Sequence, residues 1–192
     1  MNLIFDFGNV LVDFKPVKYL SGLFTDAQTI EKLNDIVFKS CEWLLMDQGL
    51  LTHEQAIEIF CNREPDYASQ ITQAIRCSND IVTRIDETIE LLPKLKEVGH
   101  KIYYLSNMQK EIGEFMLENH EYISLFDGGV FSCDAKLIKP SPEIYHFLLE
   151  KYDLFPGDCI FFDDVEENVA AAEKEGIKGV LFTTAECVLE YL

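Results

Sequence analysis

Positive charge is scarce in this chain. Its 192 residues carry 16 lysines and arginines against 34 aspartates and glutamates, a formal net charge of -18 at pH 7. A surface of that sign repels phosphate backbones, so nucleic acid is not an expected partner, although a small anion can still be held by local donors and a cation. Long apolar runs are missing as well: none approaches the ~20 residues that a membrane-spanning helix needs, so no membrane partner is expected. The opening MNLIFDF has neither a basic segment ahead of an apolar one nor a small-residue cleavage site, so a cytoplasmic location is the expectation. The six cysteines form no CxxC pair, so reduced, mostly buried thiols are expected rather than zinc ligands or disulfides. No internal repeat or low-complexity tract is present.

What is abundant is core material. At 48% hydrophobic and 12% aromatic, the chain can fill one large domain or a domain with an insertion. Four short apolar runs, Leu3 to Phe5, Ile102 to Leu105, Cys159 to Phe162 and Gly179 to Phe182, read as strands buried on both faces. Segments of helical period lie between them, including Thr88 to Val98 and Ser141 to Tyr152. Strands alternating with helices predict an α/β fold, a parallel sheet with helices on both faces. The first connection is too long for one crossover. From Lys15 to Ile85 its periodic segments are all helical, including Asp26 to Phe38 and a stretch opened by the capping-box pair Thr52 and Gln55. This predicts a small helical cap, residues 15–85, inserted after the first strand of a core formed by 1–14 and 86–192.

Ligands of parallel α/β sheets sit outside the carboxyl ends of the strands. Asp6 follows the first strand, Ser106-Asn107 the second and Asp163-Asp164 the third, while Lys139 precedes a helix that opens at Pro140 to Pro142. Each alone has an ordinary reading: a turn residue, a cap or a solvated charge. Together, at consecutive strand ends, they place three acids, a hydroxyl and a lysine on one edge.

The set FDFGNVL, YYLSN, KLIKPSPEIY and FFDDVEENVAAAEKEG resembles the four signature motifs of the haloacid dehalogenase-like superfamily, in order and across almost the whole chain. The helical segment resembles that superfamily's cap, and EWLLMDQGLLTHEQA is similar to a stretch in the branch that includes sugar-phosphate phosphatases of the DxGNV type. The resemblance implies a Rossmann-like core and a Mg²⁺-dependent phosphatase acting on a small phosphorylated metabolite, with a sugar phosphate as the best guess. By matching position, Asp6 would be the nucleophile and a metal ligand. The Gly8 backbone carbonyl and Asp164 would complete the metal's protein ligands, and Asp163 would act through water or from behind them. Ser106, Asn107 and Lys139 would bind the phosphoryl group, with Ser106 and Lys139 also serving the chemistry.

Gly8 departs from the pattern. Most phosphatases of the superfamily carry an aspartate two residues after the nucleophile as general acid and base, and a glycine has no side chain to move a proton. A glycine there can also permit an unusual backbone angle, and in either case the expectation is an enzyme that favours esters whose leaving groups need little protonation. Candidate acids in the cap are not placed by the sequence. Asp47 and Gln48 either face the site or form a turn before Gly49; His53 is expected to be an exposed residue at a helix start; Trp43 is expected in the core; Asp13 reads as a stem charge, and Asn9 as a residue that shapes the loop. The alternatives are a 2-haloacid dehalogenase, which the Asp163-Asp164 pair disfavours, and a catalytically weak binding or regulatory domain. A receiver-type domain is disfavoured by the long helical insertion.

Overall fold

The computed structural model describes all 192 residues. Strand β1 (Asn2–Phe5) opens the chain, and β2 (Val12–Phe14) follows a tight loop. Five helices come next: α1 (Pro16–Leu23), α2 (Ala27–Leu33), α3 (Cys41–Asp47), α4 (His53–Arg63) and α5 (Ala68–Arg76). The chain returns through β3 (Val82–Arg84), which pairs antiparallel with β2. The two segments flanking the helices of the insertion are therefore joined as a ribbon. Helices α6 (Asp86–Ile89) and α7 (Leu92–Glu97) lead to β4 (Lys101–Ser106), and α8 (Lys110–Asn119) leads to β5 (Gly128–Phe131). Then α9 (Ser132–Ala135), α10 (Pro142–Lys151), β6 (Cys159–Asp163), α11 (Glu166–Lys174), β7 (Lys178–Leu181) and α12 (Glu186–Leu189) complete the chain. No helix is long and apolar enough to cross a membrane.

The main sheet is parallel throughout, in the order β5-β4-β1-β6-β7. Strand β1 is central, so residues beyond its carboxyl end share an edge with those of β4 and β6, where strand order reverses and ligands of such sheets gather. Alternation along β1 sends Leu3 and Phe5 to one face and Ile4 to the other, all fully buried. Phe5 stacks on Phe162 of β6 at 4.9 Å between ring centroids. Phe7, just past the strand, packs edge-on to Tyr104 and Phe131, each at 5.4 Å.

Three sequence expectations change. Strand β5 adds a fifth to the four strands expected, and at its Gly128-Gly129 pair a Cβ would stand 2.4 Å from the Tyr152 ring at Gly128 and 2.3 Å from the Tyr104 ring at Gly129. Strand β7 is an edge strand, partly open to solvent rather than buried on both faces. The helix expected over Thr88 to Val98 divides into α6 and α7, with Pro93 in the first turn of α7, where its missing N–H costs no helical hydrogen bond. All six cysteines are free, with Cys133 and Cys159 buried and Cys41 exposed.

Candidate active site

Asp6 is the first residue beyond β1 and is 7% exposed. Its backbone N–H continues the sheet by donating to the Phe162 carbonyl at 2.9 Å, which fixes where the side chain emerges. Carboxylate Oδ1 accepts from the Phe7 N–H at 2.8 Å and lies 2.9 Å from Lys139 Nζ. Oδ2 is bonded to neither and lies 3.8 Å from where a Cβ on Gly8, also a cleft-lining residue, would stand. Burial pushes the Asp6 carboxyl up to about 6, with Lys139 pulling against it and Asp163 adding to the rise.

Lys139 spans the sheet edge. Its ammonium donates to Asp163 Oδ2 at 2.7 Å and to the Leu105 carbonyl at 2.9 Å, in addition to its pairing with Asp6. Burial alone would lower its pKa, but Asp6 and Asp163 hold it above the ordinary lysine value. Asn107 fixes the lysine's backbone, accepting from the Lys139 N–H at 2.9 Å and donating to its carbonyl at 3.1 Å. That amide is thus committed to the protein as well as lining the cleft. Ser106 is buried beside Asp6, and its hydroxyl favours the ionised carboxylate.

Asp163 is fully buried and fully engaged. Oδ1 accepts from the Val165 N–H at 2.8 Å and from Asn168 at 3.1 Å; Oδ2 accepts from Lys139 and again from Asn168 at 3.1 Å. Three donor groups thus make four contacts, two to each carboxylate oxygen. Asp164 is half-buried and has a single partner, Asn9 Nδ2 at 2.9 Å. Asn9 sits at φ 53, and its Oδ1 accepts from the Phe14 N–H at 3.2 Å, so it shapes the loop and also holds Asp164. Gly8 is not at positive φ, and its absent Cβ would meet only Asp6 Oδ2 at an ordinary distance, so backbone strain does not require a glycine there.

Asp6, Asp163 and Asp164 each offer an oxygen within 4.8 Å of the others. Asp6 Oδ2 and Asp164 are hard oxygen donors with capacity to spare. The loop's backbone hydrogen bonds run to the Phe7 and Val12 carbonyls and none to that of Gly8. Two carboxylates and an unused carbonyl on one edge fit a small hard cation such as Mg²⁺.

A cleft of about 120 Å³ opens over this edge. Asp6, Gly8 and Ser106 line it from the sheet, and Asp47, the last residue of α3, lines it from the helical insertion. Phe14, Trp43 and Ile112 give it an apolar wall. Trp43 is buried against Phe38, with centroids 4.5 Å apart, and so is both core residue and cleft lining. A wider groove, about 290 Å³ between Lys18 and Asp80, contains none of the strand-end residues, and its Asp13 is paired with Lys15 and Lys18 as a stem charge.

Family comparison agrees with the geometry: residues 3–182 match the model described as haloacid dehalogenase-like hydrolase. The chain belongs to this family. Among haloacid dehalogenase-like hydrolases and their relatives, a sesquiterpene phosphatase of Aspergillus oryzae is 27% identical over 94% of this chain and 88% of its own. A phosphorylated carbohydrates phosphatase of Thermotoga maritima is 24% identical over 93% and 82%. A family enzyme of Bacteroides thetaiotaomicron, crystallised with magnesium and inorganic phosphate, shares the fold at a TM-score of 0.72 and 24% identity, covering 93% and 92%. A solved dehalogenase shares it at 0.71 and 19%, covering 93% and 82%.

Within this family fold, two side chains emerge that sequence reasoning did not assign. Asn168 lies on the first turn of α11, five residues after Asp163, and that spacing back to the strand end was the available signal. Gln109 is 1% exposed, with Oε1 2.7 Å from His53 Nε2. His53, expected at the surface, is buried because the insertion folds α4 against the segment that follows β4.

Proposed function

We propose that this hydrolase is a Mg²⁺-dependent phosphatase of small phosphate monoesters that acts through an aspartyl-phosphate on Asp6. The observation that carries the reading is the division of labour at that carboxylate: Oδ1 is held by Phe7 and Lys139, whereas Oδ2 is bonded to neither, and the residue lines the cleft. A nucleophile fixed at one oxygen and free at the other is oriented for in-line attack on phosphorus. Asp6, Asp164 and the Gly8 carbonyl would hold Mg²⁺, and Asp163 would orient the site through Lys139 and Asn168. Mg²⁺ held there would supply positive charge to offset that of the phosphoryl group. Ser106 and Lys139 add a donor and a charge to that group, each such donor commonly supporting ~10²–10³ in rate.

For the substrate, the Thermotoga relative supports a sugar phosphate. The apolar wall of Phe14, Trp43 and Ile112, together with the sesquiterpene phosphatase relative, supports an ester with a hydrophobic alcohol half. Haloacid dehalogenation is the second reading, favoured by the acid missing at Gly8 and by the dehalogenase fold match. Displacing halide from carbon needs no divalent cation, so the cluster of Asp6, Asp163 and Asp164 argues for phosphate chemistry. A screen of sugar phosphates, prenyl phosphates and an aryl phosphate with Mg²⁺ tests the proposal, with Asp6→Asn as control. Turnover lost on chelation and in the variant supports it. Halide release from 2-haloacids without metal opposes it.

A further inference from the structure

Gly8 cannot carry a proton to the leaving oxygen, yet a carboxyl of the helical insertion lines the same cleft. We infer that Asp47, supplied by the helical insertion, is the general acid and base for the reaction proposed above, on which this assignment rests.

Three observations place it there. Asp47 lines the same 120 Å³ cleft as Asp6 and Gly8, and the Gly8 side with no Cβ leaves the space between them open. The end of α3 is also pinned to the core. The Ser132 hydroxyl donates to the Asp47 carbonyl, Lys136 Nζ donates to the Gly49 carbonyl, and Gln48 Nε2 donates to the Lys136 carbonyl at 2.9 Å. Gly49 allows this approach: it sits at φ +66, and a Cβ there would be 2.5 Å from the Cys133 carbonyl oxygen. Finally, Gln109 lines the cleft together with Asp47, and its amide pulls the Asp47 pKa down against the effect of burial. With Oε1 engaged by His53, its buried Nε2 has no partner within hydrogen-bond geometry and is the donor available to that carboxyl.

The surroundings suit a carboxyl that is protonated near neutrality. Burial pushes Asp47 up to about 7, with the Gln109 amide opposing and the Asp6 charge adding to the rise. The titratable and charged groups nearby are Asp6, which lines the same cleft, Lys136, whose Nζ donates to the Gly49 carbonyl, and, next to Gln109, His53 with Glu111 Oε2 3.6 Å from its Nε2. In the first step Asp6 Oδ2 bonds to phosphorus, the ester P–O bond breaks, and Asp47 gives its proton to the departing alkoxide oxygen. In the second, water bonds to phosphorus as the Asp6–phosphoryl bond breaks. The water's proton passes to Asp47, which restores the acid, and inorganic phosphate leaves.

The test compares kcat/KM on an alkyl phosphate and on para-nitrophenyl phosphate in saturating Mg²⁺, for wild type, Asp47→Asn and Asp47→Asn/Gly8→Asp. This parameter isolates departure of the leaving group from the later hydrolysis of the phosphoenzyme. Asp47→Asn is expected to lose ~10²–10⁴-fold on the alkyl ester and about tenfold or less on the aryl ester, whose phenolate needs little protonation. Gly8→Asp is expected to recover part of the alkyl activity in that background, because a Cβ at position 8 has room. Equal losses on both esters, or no loss on either, overturn the assignment. Gln109→Leu keeps Asp47 and removes the amide beside it, so the basic limb of the alkyl-ester pH profile should move upward while the aryl profile stays put. An unmoved alkyl profile counts against Asp47. Loss of aryl phosphatase activity in Asp6→Asn tests the phosphatase reading separately, so a failed leaving-group ratio with intact Asp6 dependence removes only the role of Asp47.

Discussion

Lys139→Met removes one ammonium on which three acceptors depend: Asp6 Oδ1 at 2.9 Å, Asp163 Oδ2 at 2.7 Å and the Leu105 carbonyl at 2.9 Å. The lysine side chain is 1% exposed and the two carboxylates 10% and 0%, so water cannot replace it. Methionine keeps most of the volume, so the change is chiefly one of charge. Leaving buried carboxylates without their partner costs ~3–5 kcal/mol. At roughly 2–4 °C per kcal/mol for a domain of this size, the melting temperature should fall by roughly 6–20 °C. Thermal and urea unfolding in chelator at neutral pH measure this without a divalent cation standing in for the ammonium. Adding Asp163→Asn removes one of the stranded charges, so the double variant should be less destabilised than the sum of the two singles. A loss below about 1 kcal/mol, the scale of an exposed ion pair, would refute the reasoning. So would a double variant whose losses simply add, since the lysine would then be acting by something other than neutralisation.

Three further outcomes follow from the same geometry. Asp164→Asn should raise the Mg²⁺ concentration needed for half-maximal activity by about tenfold or more, whereas Asn168→Ala, which strips two hydrogen bonds from Asp163, should lower melting temperature as well as activity; metal titrations and unfolding curves separate the two. Gly49→Ala forces a Cβ into the Cys133 carbonyl at a left-handed φ and should cost ~1–3 kcal/mol while reducing activity on alkyl esters, read by unfolding and by kcat/KM. Asp47 has a folded-state pKa of about 7, above its unfolded value, so its contribution is present below the unfolded pKa and lost as pH rises through about 7. Asp47→Asn should therefore stabilise the protein progressively from pH 4 to pH 8, by at most ~4 kcal/mol for a rise of about three pK units. A stability difference independent of pH would go against that environment for Asp47.

The strand-end chemistry was legible because it is local. Asp6, Ser106-Asn107 and Asp163-Asp164 each follow an apolar run directly, and parallel pairing of β1 with β4 and β6 brings those ends together. Lys139 was equally visible ahead of its helix, although its three-way engagement was not. Asp47 and Gln109 were beyond reach: they are 62 positions apart, and only the fold of the insertion over β4 makes them neighbours. His53 misled for the same reason, since a helix start predicts exposure until another element covers it. Gly128-Gly129 concealed a strand because glycine signals a turn in sequence, whereas here Tyr104 and Tyr152 fill the space where its side chains would be.

Whether phosphorus is transferred to Asp6 can be asked directly by acid-quenching the enzyme during turnover of an aryl phosphate with Mg²⁺ and reducing it with tritiated borohydride, which releases the phosphate, converts the phosphorylated aspartate to labelled homoserine and lets peptide sequencing locate the label. The account requires a base-labile acyl phosphate on Asp6, formed at a rate no slower than turnover and absent in Asp6→Asn. Turnover of the same ester with no label on Asp6, or with the label on another residue, would contradict it.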